Sequence, residues 1–199
     1  MFNKKNLFVC IFFIFSISMV FSGPFWIDMG MSLEKVKQIS KTMPKNLSED
    51  AYEITPPATN NMFETYIVRI HQTYGVYLIK AVGKDISTSG YGIELKSAFN
   101  NLLTSIEKTY GKYDKTDYLL PRSIWKDPDD FMMGLLKNER YLFADWDRKH
   151  GSKLPNDLES IGIVVDALST SKGYLTIEYY SINYEKVKTE RQAKQDSVF

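Results

Sequence analysis

Two runs of β-branched and aromatic residues, MFETYIVRI (62–70) and YGVYLIKAVG (74–83), stand a few residues apart around Gly75. Side chains of this kind pack well on a pleated surface, and so short a connection leaves only an antiparallel hairpin. Three further strand-like runs follow in the second half of the chain: RYLFADW (140–146), SIGIVVDAL (160–168) and GYLTIEYYSI (173–182). Ser169-Thr170-Ser171-Lys172 supplies the turn between the last two.

Helical signals alternate with these strands in blocks rather than one by one. In GIELKSAFNNLLTSIEKTYGK (92–112), Leu95, Ala98, Phe99, Leu102, Ile106 and Tyr110 fall on one stripe, and Gly111 is placed to end the helix. Ser32 caps a shorter pattern carrying Leu33, Val36, Ser40 and Met43, which Pro44 is expected to end. Asp127-Pro128-Asp129-Asp130 combines a cap, a first-turn proline and acids at the positive end of a helix dipole, ahead of Phe131, Met132, Leu135 and Leu136. Tyr184 to Gln195 is charged throughout and reads as a closing helix or a frayed tail. A polar connector (45–61) holds room for a short extended piece around Tyr52 to Ile54. Blocks of this kind favour an α+β fold, with helices packed on an antiparallel sheet, over a doubly wound one. Glycine precedes an amphipathic helix in both MGMSLEKVKQI and YGIELKSAFNNL, so the pattern allows two helix-then-sheet units in tandem, 23–90 and 91–199.

The N-terminus reads as a secretory signal over residues 1–22. Lys4 and Lys5 precede an apolar run from Leu7 to Phe21, shorter than the roughly 20 residues of a spanning helix. Val20 and Ser22 place cleavage before Gly23, so the expectation is an exported protein, periplasmic or secreted, without stable membrane insertion. Cys10, the single cysteine, lies inside this run without the small residue a lipidation site needs before it. The exported chain therefore has no disulfide and depends on an ordinary core. The 25 basic and 24 acidic residues are balanced, and removing Lys4 and Lys5 keeps the chain near neutrality. Such a balance gives no general attraction to nucleic acid.

DMGMSLEKVKQI (28–39), followed by a hairpin, resembles the turn, amphipathic helix and antiparallel sheet of BamE/SmpA-like and β-lactamase-inhibitor-protein-like exported modules. Gly30, Ser32 and Val36 fill the shared pattern Gly-x-Ser/Thr-x-x-x-Val. The resemblance implies a non-enzymatic protein that acts through a sheet face, binding other proteins or supporting envelope assembly. The chain departs from these modules in lacking a lipobox and the paired cysteines of the inhibitors.

No catalytic constellation emerges from spacing. His71, on a strand face with Phe63, Thr65, Ile67 and Arg69, reads as structural, and His150 lies in the polar loop DRKHGSKLP. Neither has a second histidine or a cysteine at metal-ligand spacing, so no metal or other cofactor is expected. DPDDFMMG (127–134) lacks the alternating donors and distal glutamate of an EF-hand, and capping accounts for its acids. A nucleophile elbow, a Walker loop and a dinucleotide fingerprint are all missing. Asp145, Asp147 and Asp166 are the carboxylates that a small hydrolase or carbohydrate-binding protein would use, given a pair on one face. A ligand carrier would instead need an enclosed apolar pocket between helix and sheet.

The tyrosines carry the stronger signal. Large amphipathic rings serve both protein-binding surfaces and sheet packing. Tyr77, Tyr174, Tyr179 and Tyr180 are the candidate binding residues. The adjacent pair Tyr179 and Tyr180 must point to opposite faces, which a sheet covered on one side cannot bury together. The expected partner is another protein, with no catalytic residue assigned.

Overall fold

A computed structural model describes residues 23–197. The signal-like segment 1–22, with Cys10 and its cleavage position, lies outside the described residues. The fold is α+β: among the described residues, four α-helices are arranged on a nine-stranded antiparallel sheet. No helix among the described residues is long and apolar enough to cross a membrane.

Helix α1 (Leu33–Ile39) begins at Ser32, whose hydroxyl accepts from the Lys35 backbone N–H at 3.3 Å. It ends well before Pro44. Ser40 turns extended and its hydroxyl donates to the Thr55 carbonyl at 3.1 Å, while the Lys41 N–H donates to the same oxygen at 2.8 Å. These bonds redirect the chain toward the sheet, and they leave Met43 exposed. The two-residue β1 (Lys45–Asn46) and β2 (Ala51–Ile54) follow, then the hairpin β3 (Phe63–His71) and β4 (Gly75–Gly83).

Gly30 and Gly75 explain the compact turn before α1. Gly30 N–H donates to the Val76 carbonyl at 2.8 Å, and Val76 N–H returns a bond to Met31 at 2.8 Å. Gly75 has φ +65°, and a Cβ there would stand 2.1 Å from the Gly30 carbonyl oxygen. Only glycine lets these two backbones meet.

The second half opens with β5 (Ile86–Ser87) and α2 (Ile93–Tyr110), which Gly111 ends at a positive φ of +75°. Between Gly111 and Asp127 the sequence reading places no element. There the structure has an edge strand, β6 (Asp114–Leu119). Its residues, DKTDYL, lack an apolar alternation because edge position and one half-open face leave little to bury. A single turn of tighter helix (Pro128–Asp130) then leads into α3 (Phe131–Leu136), with Asp127 N–H donating to the Asp130 carboxylate at 3.3 Å. Strands β7 (Arg140–Asp147), β8 (Leu158–Ser169) and β9 (Lys172–Ser181) complete a meander, and α4 (Tyr184–Asp196) closes the described chain.

The order across the sheet is β1-β2-β3-β4-β9-β8-β7-β6, with β5 continuing the line of β4 against β9. Each half of the chain is thus a helix followed by a meander, and the last strand of one meander pairs with the last strand of the other. Helices α1, α2 and α3 cover one face, enclosing a core that includes Val36, Phe99, Trp146 and Ile163. Trp146 is fully buried, and its indole N–H donates to the Gly111 carbonyl at 2.9 Å. On the opposite face, among the described residues, only α4 packs, seating Val187 against Tyr77 and Leu78.

Two bulges change which residues share a face. Glu64 is the extra residue between the Phe63–Gly83 and Thr65–Val82 pairs. Phe63 therefore joins Tyr66 and Val68 in the main core and does not share the face of Thr65, Ile67, Arg69 and His71, as strict alternation predicts. Tyr77 is the extra residue between the pairs of Val76 and Leu78, which turns Tyr77 and Leu78 together toward α4.

Candidate functional site

The sheet face carrying α4 is covered at one end and open at the other. Its registers form continuous cross-strand rows. One row runs Thr116, Phe143, Val164, Thr176, Val82, Thr65 across six strands. Beside it, Tyr118 stands opposite Tyr141, and Asp166 stands opposite Tyr174. A third row runs Asp114, Asp145, Gly162, Glu178, Lys80, Ile67. Successive rows are two residues apart along each strand, about 7 Å.

This open region presents a coherent apolar and aromatic stripe. Tyr118 is 46% exposed, Tyr141 43% and Val164 42%, with half-buried Phe143 and Tyr174 between and beside them. Tyr174 of the four candidate tyrosines belongs here. Burial, followed by the Asp166 charge, pushes its phenol above the ordinary range.

The other three tyrosines have different surroundings. Tyr179 does point away from Tyr180, but it enters the main core, 4% exposed and 6.4 Å from the Tyr110 ring. Tyr77 is 2% exposed beneath α4. Neither ring offers surface to a partner. Tyr180 is half-buried at the edge of α4, edge-on to Tyr184 at 4.7 Å, with its hydroxyl bonded to the Glu178 carboxylate. The sheet is covered on both faces at this point, which is how two adjacent tyrosines are both accommodated. Tyr118, Tyr141 and Phe143 were not singled out by sequence. The available signal was their alternation in RYLFADW, which left the pairing with β6 undetermined.

Helix α4 is held by a charged hub as well as by Val187. The Asp50 carboxylate, 8% exposed, accepts from the Tyr77 hydroxyl and pairs with the Arg191 guanidinium. Burial raises the Asp50 carboxyl, but the bonds from Arg191 and Tyr77 and the charges of Arg191 and Arg69 outweigh it, and the net shift is downward. Burial and the bond to Asp50 push the Tyr77 phenol up to about 12. Alongside, Glu190 accepts from the Tyr74 hydroxyl at 2.8 Å and lies 3.6 Å from His71 Nε2. His71 thus joins the sheet to α4, stacked on Tyr74 at 5.1 Å. A cleft of about 1160 Å³ adjoins this hub and is lined by residues of α1, β3 and α4, including Arg69, His71 and Lys194.

The carboxylates of the hydrolase reading are separated. Asp145 pairs with Gly162, and Asp166 lies four residues further along the same strand, roughly 13 Å away. A glycosidase pair needs about 5 to 10 Å. Asp145 instead groups with Asp114, Asp147 and His150 at the mouth of the β7–β8 loop. His150 Nδ1 lies 3.0 Å from Asp114, 3.1 Å from Asp147 and 3.9 Å from Asp145. Asp147 also accepts from the His150 backbone N–H at 2.9 Å, a local turn bond. Donor atoms of Asp114, Asp145 and His150 lie within 4.8 Å of one another, a mixed oxygen and nitrogen set that could hold a divalent first-row ion. All these groups are at least partly exposed. Burial first, then the Asp114 and Asp147 charges, push the Asp145 carboxyl up.

No known protein family, no curated protein and no solved structure matches the chain.

Proposed function

We propose that this chain is an exported, non-enzymatic protein-binding module of inhibitor, immunity or envelope-accessory type, acting through the open aromatic face of its sheet. The carrying observation is the stripe of Tyr118, Tyr141, Phe143, Val164 and Tyr174 on a face whose other end α4 covers. Exposed rings with apolar neighbours on a rigid sheet lose little conformational entropy on docking, which makes them good anchors for a partner. The signal-like segment before Gly23 supports export, and the resemblance read from Gly30, Ser32 and Val36 points to the same mode of action.

Photo-crosslinking tests this directly, with a photoreactive residue at position 141 or 164 in cells that express the full chain. A specific crosslinked protein at these two positions, and none at the equivalent exposed position Leu47 on the far side of the molecule's strand order, supports the reading. Crosslinks that appear equally at all three positions, or at none, overturn it.

A further inference from the structure

The open face is electrically lopsided. Toward β1, each carboxylate in its rows faces a lysine: Glu53 pairs with Lys45 at 3.6 Å, and Glu178 with Lys80 at 2.8 Å. Toward β6 this matching stops. On the open face of β6, β7 and β8 stand Asp114, Asp145, Asp147 and Asp166, with no lysine or arginine among the residues of those strands that share the face. The basic residues of β6 and β7 are on the other side, where Arg140 pairs with Asp117 at 2.8 Å and Lys115 bonds to Asn100 at 2.9 Å. Lys80, already paired with Glu178, also acts on Asp166 through its charge, and His150 is shared among the other three acids.

Two of the carboxylates also sit directly opposite each other, Asp114 against Asp145, an arrangement that like charges disfavour. An incoming cation relieves that repulsion. The upward push on Asp145, from burial and then from Asp114 and Asp147, has part of its origin in the same unmatched charge. The rings in the row of Asp166, Tyr118, Tyr141 and Tyr174, have faces that attract cations in their own right. A cleft of about 500 Å³ at the border with α4 extends the pattern, lined by Tyr180 and Tyr184 together with Glu159 and Glu185.

We infer that the partner of this face is a protein segment rich in lysine or arginine, whose cationic side chains lie over the tyrosine rings and between Asp114, Asp145 and Asp166. The inference rests on the protein-binding reading of the face and adds the chemistry of the partner. An acidic surface of this kind draws a basic partner at range and rejects acidic ones.

The test is selection from a random peptide display library, with the protein produced from its full-length chain as bait. Selected peptides are then measured by calorimetry against three forms: wild type, Tyr118→Ala/Tyr141→Ala, and Asp114→Asn/Asp145→Asn/Asp166→Asn. Peptides enriched in lysine and arginine, weakened about tenfold or more by the asparagine variant and further by added salt, are expected. Peptides that lose binding to the alanine variant yet are neutral or acidic would overturn the cationic partner and leave the face reading standing. Peptides indifferent to the alanine variant, or a library with no binder, overturn both. Loss of binding on adding EDTA would show that a metal ion occupies the acid cluster, and it too would overturn the inference.

Discussion

Tyr118 stands directly opposite Tyr141 across the β6–β7 pairing, and both rings lie on the part of the sheet that no helix covers among the described residues. Neither ring fills the core, so their removal is expected to cost little stability. Tyr118→Ala/Tyr141→Ala is expected to change unfolding free energy by about 1 kcal/mol or less, the scale of a cross-strand pair. Urea denaturation checks this, alongside the peptide titrations. A loss of several kcal/mol would mean that the rings are structural.

Val187 is the fully buried apolar residue of α4, an otherwise polar helix. Val187→Ala removes two carbons from the seat formed by Tyr77 and Leu78, at a cost of about 2 kcal/mol. Amide exchange across α4 is expected to accelerate while β8 and β9 stay protected, since the helix can leave without opening the main core.

Arg191 and Asp50 set the acid limit of that docking. The Asp50 carboxyl is depressed in the fold, so its contribution is fully present above the ordinary aspartate value and lost as pH falls through the lower folded value. Tyr77 sets the alkaline limit with the opposite sign. Its phenol is raised to about 12, so its contribution is whole below the ordinary tyrosine value and lost as pH rises toward about 12. Exchange of α4 amides, corrected for intrinsic rates, is expected to be flat between these limits. Arg191→Ala should move the acid limit upward and weaken docking by about 2 kcal/mol, as removal of a charged hydrogen-bond partner does.

Asp145 has the reverse sense. Its carboxyl is raised, so the fold disfavours its charge above that value and recovers stability as pH falls through it. Asp145→Asn is accordingly expected to stabilise the protein near neutral pH by about 0.5 kcal/mol, by removing a like-charge pair with Asp114. Thermal unfolding of the two forms side by side decides the sign. A lower melting temperature for the variant would show that the carboxylate is a favourable partner of His150.

Gly75→Ala tests the junction of the hairpin with the turn before α1. A methyl there meets the Gly30 carbonyl oxygen at 2.1 Å, in a backbone region unfavourable to any side chain. The combined strain and overlap should cost about 3 kcal/mol or more, read as a lower urea midpoint. A near-neutral effect would require the β3–β4 turn to shift away from Gly30.

Local chemistry in the sequence determined much of this protein. The β-branched runs make β3 and β4 strands wherever they lie, the apolar stripe makes α2 a helix, and Gly111 ends it. Ser32 caps α1 for the same reason: each of these effects acts within one or two turns of chain. Alternation also required Tyr179 and Tyr180 to face apart. Which of those faces is buried was decided only by tertiary structure, because it depends on what packs above each one. There α2 and its neighbours enclose Tyr179, and α4 shelters Tyr180. Bulges at Glu64 and Tyr77 arise from pairing with the opposite strand, and they reassigned Phe63 and Tyr77 against the local alternation. Strand β6 gained its identity from β7 rather than from its own polar residues. Bringing Tyr118 beside Tyr141, and Asp114 beside Asp145, was likewise an act of register between distant segments. The open acidic and aromatic face is therefore a property of the assembled sheet, and no single segment of the chain encodes it.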